Sequence, residues 1–349
     1  MLRSQAKRLS IVVPVFNGSG TLPLCLRALG DSSYLPFEFF VVDDGSSDNS
    51  LAIAEQFSAT ILSTGGRFGP SKARNLAARH ATGEVLVFLD ADVAVHPDAL
   101  ARIAEHFESD PALDALIGSY DDSPSDPGFV SQFKNLMHAF VHSQGNDQAF
   151  TFWCGCGAVR RTVYLDHGGL DESYERPSIE DIELGYRMRA AGRKIALDPQ
   201  VQCKHLKTWT LWSMVRTDVR QRGIPWTELI LRTRVLADDL NLRWGQRASV
   251  ALSGLTLVLA AMGSALTTCA SLACLLAICW INRDFYAFLG LRKGLPFAVA
   301  AIPLHLLYFL YSGTSFVLGT VSHLVRQARS SSRPLKPILR PEIENNTEC

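Results

Sequence analysis

Residues Glu84 to Val93 read EVLVFLDADV, an unbroken apolar run that ends in two carboxylates, Asp90 and Asp92, one alanine apart. A run of Val, Leu and Phe after the turn signal Thr82-Gly83 is the pattern of a central strand buried on both faces, so the two acids stand at its carboxyl end. In an open α/β sheet ligands bind along that edge, and two closely spaced carboxylates there can hold a divalent cation against a phosphorylated ligand. Taken alone, an Asp-x-Asp pair is more simply a helix cap and a solvated loop acid. Its company decides.

Upstream, Leu9 to Phe16 (LSIVVPVF) is a second buried strand, which Asn17-Gly18-Ser19-Gly20 turns into a helix around Leu22 to Leu29. Glu38 to Val42 forms the next strand and runs into Asp43-Asp44-Gly45-Ser46-Ser47-Asp48, with a helix following through Phe57. A short strand near Ala59 to Ser63 leads through Gly65-Gly66-Arg67-Phe68-Gly69-Pro70 to a helix over Ser71 to His80. Lys72 and Arg74 in its first turns suit an anion. This alternation predicts a parallel sheet with right-handed crossovers, a nucleotide-binding half domain. No Gly-x-Gly-x-x-Gly follows the first strand, which argues against a nicotinamide enzyme.

The chain has 349 residues, with 34 Lys plus Arg balancing 34 Asp plus Glu, so no global field points to nucleic acid. Its eight cysteines are scattered, and the closest pair, Cys154 and Cys156, lacks the spacing of a zinc site; they read as reduced and structural. Basic residues at the amino terminus precede no apolar h-region, so no secretory signal is expected.

Beyond His96 the pattern gives a helix, a strand at LDALIGSYDD, and an amphipathic helix over Phe129 to His142. His138 and His142 lie four apart on it, without neighbours that complete a metal-ligand set. Further on, Ser178 is placed as a helix N-cap, with Glu180, Asp181 and Glu183 in the first turn and Gly192 closing the helix before a strand at Lys194 to Leu197. Glu183 has Arg187 as its partner four residues on, whereas Asp181 is left unpaired by its own helix. The helix dipole there favours its ionised form, poised to accept a proton at neutral pH.

In their order and spacing, IVVPVFNG, VVDDGSSD, SKARNLA and FLDADV resemble the family 2 glycosyltransferases, enzymes of GT-A fold. The resemblance extends through His205. It implies an α/β catalytic domain with a Rossmann-like, mainly parallel sheet over residues 1–207, divided into a nucleotide-sugar half (9–95) and an acceptor half (96–207). A nucleotide-diphosphate sugar would lie across the strand ends, with base and ribose near Pro14, Phe16, Asp43 and Asp44 and with Arg74 meeting diphosphate or base. Asp43 reads alternatively as a turn-forming acid, Asp48 as a cap and Lys72 as a solvated lysine. By the same resemblance Asp92 would hold Mg²⁺ or Mn²⁺, Asp90 would assist through ribose, water or metal, and His205 would be a further metal or diphosphate ligand. Glu180-Asp181 matches the family's ED motif, with Asp181 as general base in a displacement that inverts the anomeric centre. The Gln-x-x-Arg-Trp of processive members is missing, since Arg220-Gln221-Arg222-Gly223-Ile224-Pro225-Trp226 does not fit it, which favours transfer of one sugar.

The remaining chain reads as membrane-associated. Residues 208–247 carry Trp209, Trp212 and Trp226 among arginines and suit amphipathic helices in the membrane interface, or packing against the sheet. Residues 248–322 form a transmembrane region of two or three spans. Ala248 to Ile281 as one helix would run roughly 50 Å against a hydrocarbon core of about 30 Å, so a hairpin breaking near Gly263 to Thr268 is expected, followed by a span at Leu295 to Val321. The basic tail, 323–349, reads as disordered. The expected protein is multi-pass in the cell membrane, with a cytoplasmic catalytic domain and a lipid or lipid-linked acceptor. A polyprenyl-phosphate acceptor and a non-catalytic nucleotide-binding scaffold are the alternatives.

Overall fold

The computed structural model describes residues 9–145 and 148–331. Strands β1 (Leu9–Val15), β2 (Glu38–Asp43), β3 (Thr60–Ser63) and β4 (Val85–Leu89) pair in parallel, joined by helices α1 (Leu22–Gly30), α2 (Ser50–Ala54) and α3 (Pro70–His80). The chain continues through β5 (Val93–Val95), α4 (Ala99–Ser109), β6 (Ala115–Tyr120), α5 (Phe129–Ser143), β7 (Cys156–Arg160), α6 (Arg161–Asp166), α7 (Glu180–Ala190) and β8 (Ile195–His205). The resulting sheet has the order β3-β2-β1-β4-β7-β6-β8-β5. Because β7 enters antiparallel between β4 and β6, and β5 antiparallel to β8, the sheet is parallel over its first four strands and mixed as a whole.

Both faces of the central strands are covered, which explains their unbroken apolar runs. Ile11, Val13, Val87 and Leu89 point to the layer of α1 and α4, while Val12, Leu86 and Phe88 point to the layer of α3, α6 and α7. Truncating the fully buried Phe88 to alanine should cost about 3–5 kcal/mol.

Three boundaries depart from the sequence reading. Helix α2 stops at Ala54, short of Phe57. Strand β8 continues past Leu197 because it pairs first with β6 and then, beyond an irregularity at Ile117/Ser119, with β6 and β5 together, so His205 ends a long strand. Ser178 is not the cap of α7, whose N-cap position is Ile179; the Ser178 hydroxyl donates instead to the Gln221 carbonyl at 2.8 Å.

After the sheet come α8 (Leu211–Arg216), a π-helical segment (Thr217–Gly223), α9 (Ile224–Thr233), a 3₁₀ turn (Leu240–Leu242), α10 (Trp244–Ala261), α11 (Ala265–Ile281), α12 (Arg283–Lys293) and α13 (Leu295–Ser331). The interfacial reading of residues 208–247 is corrected in part. Trp209 and Met214 pack with Phe133 and Leu136 of α5, and Trp226 and Leu229 pack with Ile179 and Tyr186, so this aromatic face turns into the protein; Leu211 and Trp212 remain exposed. The hairpin breaks where expected, at Met262 to Ser264. Among the described residues one helix, Leu295–Ala328, is long and apolar enough to cross a membrane, and α11 with α12 would make a second only as a span bent by 63°. Of the tail read as disordered from 323 onward, residues 323–331 instead continue helix α13, because the apolar spacing of Leu324 and Val325 extends it, and the rest lies outside the described residues. All cysteines among the described residues are free, and Cys25, Cys154, Cys156 and Cys203 are buried.

Candidate active site

The carboxyl ends of the parallel strands open on a cleft of about 610 Å³, bordered by Pro14, Phe16, Asp44, Arg74, Asp90, Asp92, Glu180, Asp181 and His205. Of the residues singled out in the sequence for donor, metal or base, only Asp43 is not among its walls. The Asp43 Oδ1 accepts the Ser46 N–H at 3.0 Å and shapes the turn after β2, the alternative role its neighbours allowed. Asp48 likewise is structural, accepting from Ser50 and from the Ser19 N–H; against the opposing effect of burial, these bonds hold its carboxyl down at about 2.

At one end of the cleft, Asp44 braces the loop that leads into α3. Its Oδ1 accepts from the Thr64 hydroxyl at 2.9 Å and the Phe68 N–H at 3.0 Å, and its Oδ2 from the Gly69 N–H at 2.8 Å. The same loop lays the Arg67 guanidinium 4.1 Å above the Phe16 ring, whereas the Lys72 ammonium sits over Phe68. Gly69 adopts φ +96°, and a Cβ there would lie 2.6 Å from the Glu175 carbonyl carbon. Only glycine lets the loop before α7 close this tightly over the start of α3.

In the middle, buried Arg74 on α3 joins the two acidic motifs. Its Nη2 donates to Asp90 Oδ1 at 2.5 Å and its Nη1 to Glu180 Oε1 at 3.3 Å. The Glu180 Oε2 accepts the Ser178 N–H at 2.7 Å. Burial, and then the charge of Asp181, push the Glu180 carboxyl up to about 7 despite Arg74. Asp181 beside it accepts the Cys154 N–H on Oδ2 at 3.0 Å and the Ile182 N–H on Oδ1 at 2.8 Å. The helix dipole led to the expectation of a stabilised carboxylate here. Burial outweighs those two bonds and Arg74, so the Asp181 carboxyl titrates above the ordinary aspartate range. A carboxylate of raised pKa that still keeps hydrogen bonds to its charged form is a stronger proton acceptor than a solvated one.

On the far side of β4, His205 Nε2 stands 3.7 Å from Asp92 Oδ2. Asn135 on α5 fixes the ring: its Oδ1 lies 2.7 Å from His205 Nδ1 and accepts the Trp209 indole N–H at 3.1 Å, while its amide donates to the Lys207 carbonyl. With Nδ1 as donor, Nε2 presents a lone pair toward Asp92. The 3.7 Å gap is too wide for a direct hydrogen bond and lies within the span of two ligands each roughly 2.1 Å from a shared cation. Asp92 and His205 therefore fit a divalent ion as two ligands, and among the described residues no group of three or more His, Cys, Asp or Glu is placed to hold one. Tyr120, at the end of β6, stacks on His205 with ring centroids 4.3 Å apart and keeps the imidazole in plane.

The structure adds walls that the sequence reading set aside. His138 and His142 both face the cleft and stack near Tyr120. Burial, reinforced for His138 by Lys134 and for both by Arg222, keeps them neutral, with His142 at about 4. The π-helical segment aims Arg222 at this wall, Nη1 lying 3.2 Å from His138 Nε2, and Gln221, Trp226 and Lys207 complete it. The spacing of the histidines was visible in the sequence; that a distant segment would fold over them was not.

Residues 10–168 match the family model described as glycosyl transferase family 2. Similar curated proteins include an undecaprenyl-phosphate 4-deoxy-4-formamido-L-arabinose transferase of Sodalis glossinidius, 27% identical over 165 residues that make 45% of this chain and 50% of that one. An uncharacterized glycosyltransferase of Haemophilus influenzae is 30% identical over 190 residues, 50% of this chain and 60% of the relative. The chain thus spans about half the length of these two relatives. Among solved structures, a mannosyltransferase of Pyrobaculum calidifontis in complex with GDP-Man and Mn²⁺ superposes with a TM-score of 0.53 at 18% identity, over 92% of this chain and 88% of the other. That likeness speaks for the fold, which is GT-A.

Proposed function

Because the chain carries a family 2 glycosyltransferase domain of GT-A fold, we propose that it moves one sugar, with inversion, from a nucleotide-diphosphate sugar to a hydroxyl of a lipid or lipid-linked acceptor. The observation that carries this reading is the single cleft in which Asp181 and the Asp92–His205 pair face one another across the Arg74 bridge.

In this reading the donor base lies against Phe16 and Arg67, with Asp44 bordering the ribose. Asp92 and His205 would hold Mg²⁺ or Mn²⁺, which when bound neutralises charge on the departing diphosphate. Arg74 keeps Asp90 in place beside the donor and orients Glu180, so that the neighbouring Asp181 points into the cleft. Asp181 takes the proton of the acceptor hydroxyl as its oxygen attacks the anomeric carbon from the face opposite the diphosphate, and one displacement inverts that centre. Membrane attachment, through the apolar residues that α10 to α13 leave exposed, concentrates such an acceptor near the cleft.

One observation favours a second acceptor class. Arg222 faces the neutral His138 and Lys207 lies over the Trp209 ring at 4.4 Å, and neither has a carboxylate within ion-pair distance among the described residues. Two such cations suit an acceptor phosphate, as in a polyprenyl phosphate, for which Asp181 would be dispensable because a phosphate oxygen needs no strong base.

The test is a panel of UDP-, GDP- and dTDP-sugars offered to the detergent-purified full chain with Mg²⁺, Mn²⁺ or chelator, scoring released nucleoside diphosphate and donor binding on the same samples. Metal-dependent release from one donor supports the transferase and names its sugar. Failure to bind any donor would overturn it.

A further inference from the structure

We infer that the protein sits in a single membrane leaflet, the cytoplasmic one on which its catalytic domain is expected, and that none of its described helices crosses the bilayer. The inference rests on the membrane attachment proposed above and concerns how it is achieved.

Helix α13 decides the matter. From Leu295 to Arg326 it would extend roughly 46 Å at the helical rise, longer than the roughly 30 Å hydrocarbon core. Yet both of its ends are tied to the same catalytic domain. Just before it, Arg292 Nε pairs with Asp122 Oδ2 at 2.6 Å, at the end of β6; near its other end Arg326 Nη1 pairs with Glu228 Oε2 at 3.1 Å on α9. Helix α9 is itself packed on the domain through Trp226 and Leu229 against Ile179 and Tyr186. Between these ends α13 stays in contact. Ala301, Leu304, Tyr311 and Ser315 are buried, and a Cβ on Gly319 would come 2.6 Å from Thr227. A helix seated along its length on a domain that carries Lys134, Asp218 and Glu228 cannot cross the membrane without drawing those charges into hydrocarbon.

The other face of α13 is a lipid surface. Val299, Leu307, Val317, Val321 and Val325 recur at helical spacing and are exposed. The hairpin of α10 and α11 extends this surface. From Leu257 to Leu266 all residues but Leu259 are exposed, and no charged residue lies between Ser249 and Ile281. Along α10 the tip at Met262 lies 18 residues, roughly 27 Å, beyond Trp244, so within one leaflet of a roughly 30 Å core the hairpin enters obliquely and not along the membrane normal. At the tip Ser264 and Thr267 satisfy each other's N–H groups in a capping box, which suits a turn immersed in lipid. At the hairpin's open end Trp244 and Trp280 are exposed, with Arg247 and Arg283 over their rings and paired to Asp238 and Asp284, an aromatic and polar collar of the kind found at the level of the headgroups.

The experiment uses the full chain expressed in bacterial cells. Alkaline carbonate washing should leave it in the membrane pellet; release to the supernatant would overturn membrane attachment itself. In a chain carrying Cys269→Ala, Cys274→Ala and Cys279→Ala, five cysteines remain: the four buried in the sheet domain, Cys25, Cys154, Cys156 and Cys203, and Cys349, which follows α13. Cys349 should react with a membrane-impermeant maleimide only from the cytoplasmic side of sealed vesicles. With Cys349→Ala and Met262→Cys added, the tip should react from neither side until detergent is supplied. Cys349 labelled from outside the cell, or Met262→Cys labelled from either side, would overturn the single-leaflet arrangement while leaving attachment intact. The unsubstituted chain provides a check free of mutation: protease added to intact spheroplasts should leave it uncut, and cleavage would count against the inference.

Discussion

Arg74 and Glu180, 106 residues apart in the chain, form a buried ion pair at 3.3 Å that locks the nucleotide half of the domain to the helix bearing the proposed base. Their side chains are only 5% and 6% exposed, so removing one partner strands a charge away from water. Arg74→Ala should cost about 3–5 kcal/mol of stability, seen as a fall in Tm of the detergent-solubilised protein, and should weaken donor binding as well. Arg74→Lys, with one point charge in place of the forked guanidinium, should recover part of the Tm but not the bridge to Asp90. An unchanged Tm in Arg74→Ala would show that the bridge holds nothing together.

Asp181→Asn separates binding from chemistry. If Asp181 accepts the proton, the variant should bind donor as before while its transfer rate falls by about a hundred- to ten-thousand-fold. The pH dependence supports the same assignment with a definite sign. Because burial raises the Asp181 carboxyl and brings Glu180 to about 7, the rate should decline as pH falls through a range above that of ordinary carboxylates. Below that range the base already carries its proton and cannot accept another. Transfer that persists in Asp181→Asn with a flat acid limb would point to the phosphate acceptor.

The strands, and the carboxylates at their ends, were legible in the sequence because a strand buried on both faces leaves an unbroken apolar run and then a polar turn. Asp44, Asp90 and Asp92 were found that way and do border the cleft, as does Asp181, which was found in the first turn of α7 through its ED motif. Direction was harder to read. Nothing in CGAVR states that β7 runs antiparallel beside β4, and the length of β8 depended on a β6 partner that shifts register at Ile117/Ser119. Asp43 and Asp44 are adjacent and chemically identical, and only the loop at Thr64 to Gly69 decides which of them borders the cleft. Arg222, with Trp226, could be read either as bordering the acceptor site or as an interfacial anchor; that it would face His138 was hidden because a π-helical segment does not follow the spacing by which an amphipathic face is recognised. Trp209 and Trp226 looked interfacial because a side chain that packs on a domain and one that packs on lipid have the same composition.

Asn135 offers a test of the metal end that leaves both proposed ligands intact. It holds His205 through the 2.7 Å contact to Nδ1, and loss of such a partner typically weakens metal affinity by about 10–100-fold. Asn135→Leu should therefore raise the Mn²⁺ concentration needed for half-maximal donor binding while leaving binding at saturating Mn²⁺ close to that of the parent. Asp92→Ala should remove the metal dependence altogether. A uniform loss at every Mn²⁺ concentration in Asn135→Leu would mean that the residue serves the fold and not the imidazole.

A buried ion pair joins helix α13 to the sheet domain. Lys134 on α5 donates to both Asp218 oxygens, at 2.9 and 2.6 Å, and Tyr311 on α13 donates its hydroxyl to Asp218 Oδ2 at 2.7 Å. This triad ties α5, the π-helical segment and α13 at a point where Lys134 is 2% and Asp218 9% exposed. Burial dominates there, lowering the Lys134 ammonium to about 8 even though Asp218 supports its charge. Lys134→Met strands the Asp218 carboxylate and should cost about 3–5 kcal/mol, whereas Tyr311→Phe, which leaves the ion pair whole, should cost only about 1 kcal/mol. The double variant Lys134→Met with Asp218→Leu removes both charges and should melt above Lys134→Met alone, because its penalty is for lost packing and one orphaned hydroxyl instead of a buried ion. Measured by Tm in the same detergent, losses that simply add across the two substitutions would show that Lys134 and Asp218 are not coupled.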